Sequence, residues 1–121
     1  MGYFGPEPES NDYAADWFGN LFDQTKLREA VVKTLKQKPV DDYNAAEIRA
    51  AAYVIVLLGD NFIWPSDHLD ADLRLAFRKL QEVRRCYQSL PFLKAIDAEL
   101  AVLADKIASY GGDPEPASTP N

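Results

Sequence analysis

Asp12 and Asp16 stand four residues apart, so on a helix their carboxylates lie one turn above each other. Two carboxylates at that spacing can share a divalent cation, receive an arginine or accept backbone amide hydrogens. A hard cation needs several further oxygens, and the neighbouring sequence does not guarantee them. Like charges at this spacing cost a helix about 0.2–0.5 kcal/mol, part of which Asp12 recovers at the positive N-terminus. Three fates stay open for the pair: a capped and solvated polar face, an ion pair within the protein or to a partner, or a metal-dependent or catalytic site.

Arg84 falls on the edge of an apolar helical arc, between the directions of Phe77 and Leu80. A charge there either reaches past the core to water or is paired, and Asp12 or Asp16 is the candidate internal partner. Arg74, Arg78 and Arg85 form a second stripe on the same helix, away from the core face, where they could grip an anion or an acidic partner or simply be solvated. His68 lies in Asp67-His68-Leu69-Asp70 near a helix start, without a nucleophile motif beside it. Cys86 reads as a packed or half-exposed thiol. Trp17, Phe18, Phe22, Phe62 and Trp64 could line a pocket, although core packing is the default for such a set. The chain has no GxGxxG, phosphate loop or CxxC, so neither a cofactor nor a metal is expected.

Composition narrows the field. The chain has 121 residues, 47% of them hydrophobic and 26% charged, which is ordinary for one globular domain. One cysteine excludes an internal disulfide framework, and one histidine excludes a two-histidine metal site within the chain. A formal charge of −6 argues against nucleic acid and anionic membranes as partners. The N-terminus lacks the basic start and apolar run of a secretory signal, and Pro6 occupies the position where myristoylation wants Ser or Thr. The apolar run 50–58 is far short of the ~20 residues that span a bilayer. A cytoplasmic protein is the expectation.

The elements that must position these residues are helical almost throughout. Residues 1–10 read as an irregular arm whose Tyr3 and Phe4 dock on the core, and residues 112–121 as a disordered Pro-rich tail, leaving a single domain over 1–111. A first helix is expected from Asn11 to Phe22, capped by Ser10 or Asn11, with Asp12, Asp16, Asn20 and Asp23 on one face and the aromatics on the other. A second runs from Thr25 to Lys38 and is stopped by Pro39. A third, 44–58, has Asn44 and Glu47 at N-cap and N3 spacing and becomes apolar all round, which marks it as the central, surrounded helix; Gly59 is its expected C′ residue. The apolar loop 60–67 should fold back on the core. A fourth helix starts between Asp67 and Asp70 and ends near Gln88. A fifth is capped by Ser89 with Pro91 at an early helical position, gathers Phe92, Leu93, Ile96, Leu100, Leu103, Ile107 and Tyr110 on one amphipathic face, and stops at Gly111. The fold class is all-α, a bundle of about five helices around the third.

The N-terminal string Met1-Gly2-x-Phe4-Gly5, then Asn11-Asp12-x-Ala14-Ala15-Asp16-Trp17 and Leu21, resembles the bacterial domain-of-unknown-function family numbered 4259. The alanine-rich helix ending Leu57-Leu58-Gly59 is similar too, and the resemblance spans residues 1 to about 110. It departs at Phe4, where that family usually has Trp, and at residues 7–10. It implies a small, soluble, helical bacterial protein and carries no activity with it. Physically, Gly2 and Gly5 would let the arm turn tightly under Trp17, with Asp12 and Asp16 either accepting the arm's amide hydrogens or facing a partner.

Charge is segregated along the chain. The first 25 residues contain no base, whereas the second helix carries Lys26, Arg28, Lys33, Lys36 and Lys38 against Glu29. Such a dipolar surface favours oriented protein association. The leading expectation is therefore a non-enzymatic module acting by protein–protein contact as a monomer or homodimer. An inhibitor or immunity role toward a basic partner is one form of it. The competing class is a ligand-binding or metal-dependent enzyme built on Asp12 and Asp16, with His68.

Overall fold

The computed structural model describes residue 6, residues 8–9 and residues 11–110. Five α-helices follow one another: α1 Asp12–Thr25, α2 Leu27–Leu35, α3 Asp42–Leu58, α4 Leu69–Arg84 and α5 Leu90–Tyr110, with a 3-10 turn at Ser66–His68 ahead of α4. Among the described residues there is no β-strand. The expected docking of Tyr3 and Phe4, the stop at Gly111 and the tail 112–121 lie outside the described residues.

Consecutive helices pack on one another along the chain. Helix α3 packs on α2, α4 and α5, and α4 packs on α2, α3 and α5. Along α3, Ala45, Ile48, Ala52 and Ile55 are fully buried, and along α4 Leu73, Ala76, Leu80 and Val83. Alanines at 45, 52 and 76 let the two helix backbones approach, while each fully buried Leu or Ile contributes roughly 1.5–3 kcal/mol. Helix α5 covers them with Ile96, Leu103 and Ile107. The all-α bundle read from the periodicity is the fold. The apolar sheath of α3 is less complete than its sequence suggests, because Tyr53 and Leu57 reach solvent and α4 shares the central place.

The helix ends correct several details. Asn44 is the third residue of α3, not its cap: Asp41 accepts the Asn44 amide hydrogen at 3.0 Å, and the Asn44 side-chain oxygen accepts the amide hydrogens of Asp41 at 3.1 Å and Val40 at 3.0 Å. Asp41 wins because its extended backbone (φ −151°) is the geometry a cap requires. Helix α2 stops at Leu35, short of Lys38, because the residue before Pro39 is disfavoured in helical conformation. Lys26, at φ 55°, breaks α1 from α2 in the left-handed region, with its amide hydrogen donated to the Phe22 carbonyl at 3.0 Å. Gly59 is not left-handed (φ −79°). Its constraint is space: an added Cβ would fall 2.5 Å from the Ile55 carbonyl oxygen and 3.2 Å from Leu73 Cδ2.

Candidate functional site

Helix α1 starts where the sequence places it. The Asn11 side chain accepts the Ala14 amide hydrogen at 2.8 Å and donates to the Pro8 carbonyl at 3.3 Å, capping the helix in the expected way. Among the described helices α1 meets α2 alone. Its one buried residue is Phe22, whose ring meets Trp64 edge-on at 5.1 Å. Ala14, Ala15, Phe18 and Leu21 are half-buried, and the remaining residues are exposed. Asp12, Asp16 and Asp23 are among these and fall within about 40° of arc at ~100° per residue. Trp17, about 100° further round the helix, is 59% exposed, its ring edge-on to Phe18. Of the opening motif, Gly2 and Gly5 lie outside the described residues, so the arm-anchoring role of Asp12 and Asp16 does too.

Behind α1 a cleft of about 520 Å³ opens toward the α3–α4 loop. Gly19 and Phe22 form one wall, Phe62 and Trp64 another, and Asp23, Glu29, Asp67 and His68 its polar rim. The aromatic set thus divides: Phe22, Phe62 and Trp64 line the cleft, while Trp17 faces solvent. His68 is brought to Asp67, Asp23 and Glu29, but neither Asp12 nor Asp16 lines this cleft. Among the described residues no three His, Cys, Asp or Glu side chains are placed to hold a metal ion. Phe62 adopts φ 71°, a strained conformation for a bulky residue.

The floor of this region is held by a pair that sequence reading missed. Arg28 donates to Asp72 through Nε at 2.6 Å and Nη2 at 3.1 Å, and Trp64 Nε1 donates to the same carboxylate at 2.9 Å. Asp72 is 2% exposed. The hydrogen bond to Asp72 holds the Arg28 guanidinium above its ordinary pKa, against the opposing effect of burial. One carboxylate therefore ties the start of α2 and the α3–α4 loop to α4. The signal was present: Asp72 sits at the edge of the arc of Leu69, Leu73, Ala76 and Val83, about 20° beyond Val83 at ~100° per residue, and an acid at the border of a core face needs a partner.

Arg84 is paired, but with Asp97 of α5 and not with Asp12 or Asp16: Nε and Nη2 donate at 2.6 and 3.0 Å. Helix α5 lies against α4 at that edge, whereas α1 is held by α2. Asp97 is held below the ordinary carboxylate range by the Arg84 hydrogen bonds. Arg49 similarly donates to Glu99 at 3.0 and 2.6 Å, and Lys106 donates to Asp60 at 2.6 Å. Burial pushes the Tyr110 phenol up, beside Asp60. Arg74 pairs along its own helix with Asp70, while Arg78 and Arg85 are exposed, so the stripe is not a single grip. Lys79 is nearly buried against Glu82. Cys86 is half-buried, with Sγ 3.9 Å from the Pro39 carbonyl.

No family model, curated protein or solved structure matches this chain. No described helix is long and apolar enough to cross a membrane.

Proposed function

We propose that this protein is a protein-interaction module and that the outward face of α1 is its recognition surface, directed at a basic partner. The observation that carries the reading is the outward set of α1: Asp12 and Asp16 are exposed on one face and Trp17 is 59% exposed about 100° round the helix from Asp16, on a helix whose one buried residue is Phe22. Tryptophan is enriched at interface hot spots, and a line of carboxylates on the adjoining face steers a cationic surface into register. An inhibitor or immunity role is the form this contact would take if the partner is a basic enzyme. Family membership on the opening string is part of the same proposal.

The test is capture of binding proteins from the cell of origin by the wild-type chain and by Asp12→Lys/Asp16→Lys and Trp17→Ala variants. A basic protein retained by the wild type and lost by both variants supports the reading. Retention by both variants overturns it.

A second reading has one observation in its favour: the cleft is lined by Asp23, Glu29, Asp67 and His68 with the Phe62 and Trp64 rings, and its Arg28 is already held by Asp72. This lining suits a small cationic ligand. A fragment screen read by chemical shifts of the Trp64 indole tests it, and silence of that signal across cationic fragments overturns it.

A further inference from the structure

The end of the bundle remote from this cleft carries a surface of the opposite character. There the chain leaving α2 meets the chain leaving α4, joined where Cys86 Sγ lies 3.9 Å from the Pro39 carbonyl. Two shallow clefts share Cys86. One, about 620 Å³, is bordered by Lys36, Lys38, Val40 and Arg85. The other, about 330 Å³, is bordered by Asp42, Tyr87 and Phe92. The apolar residues here are set outward: Val40 is 75% exposed, Tyr43 77%, Leu90 63% and Phe92 48%. Lys36, Lys38 and Arg85 are exposed, and among the described residues none of the three is in an ion pair; Glu82 of the larger cleft is paired with Lys79, and Asp41 and Asp42 are exposed at the start of α3. An apolar surface with a cationic flank is the anatomy of a docking surface.

We infer that this end binds the α1 face of a second copy of the chain. The inference rests on the reading of α1 as a recognition surface for cationic groups and gives that surface a second occupant besides the basic partner. Charge complementarity selects the occupant: α1 offers Asp12, Asp16 and Asp23 without a base in its fourteen residues, and the far end offers Lys36, Lys38 and Arg85. The apolar parts match as well, with Trp17 available to Val40 and the Cys86 cleft. The two surfaces are different patches of one molecule, so the contact is heterologous. Such contacts build open chains unless the rotation closes a ring, so association passes beyond a dimer. The net charge of −6 opposes it at long range, which leaves short-range pairing as the attractive part.

Sedimentation of the full chain tests this with two charge reversals, Lys36→Glu/Lys38→Glu and Asp12→Lys/Asp16→Lys, and their equimolar mixture. The wild type should gain average mass with concentration in low salt, beyond that of a dimer, and lose it at about 0.5 M salt, where screening acts within a few ångströms. Each variant alone should associate at least about tenfold more weakly. The mixture should recover association, because each reversed surface then finds an opposite one, and recovery also shows that both variants are folded. A wild type that stays monomeric throughout overturns the inference, as does a mixture that stays dissociated. If the wild type is monomeric while α1 reversal still releases a captured basic protein, self-docking fails and the α1 reading stands. Self-association indifferent to α1 reversal, with capture also indifferent, removes both.

Discussion

Helices α4 and α1 are similar in length and opposite in use. Helix α4 buries seven of its sixteen residues, two of them charged; α1 buries one of fourteen. Both carry carboxylates. On α4 the acid that matters, Asp72, is sealed against Arg28 and the Trp64 indole. On α1 the acids face water, and Trp17 is exposed on an adjoining face. A buried carboxylate has to be bonded where it sits and so fixes the fold. An exposed one contributes little to stability and is free to meet something else.

Substitutions at the two helices should separate accordingly. The largest effect is expected at Asp72→Ala, which strands a partly buried guanidinium and an indole N–H; urea unfolding should show a loss of about 3 kcal/mol. A loss too small to resolve would remove Asp72 from the framework. Gly59→Ala should cost about 1–3 kcal/mol in the same assay, because its Cβ meets backbone at 2.5 Å. Lys26→Gly, at the left-handed break between α1 and α2, should gain up to about 1 kcal/mol by relieving φ 55°.

Arg84→Ala comes last, since its pair with Asp97 is solvent-facing although equally short. That pair has a pH signature. The Asp97 carboxyl is held down in the folded chain, so its contribution is present at neutral pH and fades as pH falls through the folded value. Urea midpoints of Asp97→Asn should therefore lie slightly below wild type at neutral pH and converge on it in acid. A gap that widens in acid would contradict the pairing.

Much of the scaffold was legible because helical periodicity is local. The stripes of Leu73, Leu80 and Val83 and of Ile96, Leu103 and Ile107 occupy the core that their spacing implies. The Asn11 cap was legible for the same reason. The α1–α2 break reads as lying between Phe22 and Thr25 and falls slightly later, since Lys26 takes a conformation that glycine usually marks. The partner of Arg84 was not legible, because which helix lies across α4 is a property of the assembled bundle. The expected pairing with Asp12 or Asp16 required α1 at a place that α5 occupies. Asp72 was readable in principle: the reasoning applied to a base at one side of the apolar arc applies equally to an acid at its other edge. The surface at Val40, Tyr43, Leu90 and Phe92 gave no signal, because a periodic pattern marks a residue as apolar without telling which ones the neighbouring helices fail to cover.

The central claim is that α1 works outward. Its most direct test is capture by the Asp12→Lys/Asp16→Lys chain, with a urea melt on the same sample. The account predicts an unfolding midpoint close to wild type and loss of the basic protein that the wild type retains. A full complement of captured protein on the reversed chain would contradict it.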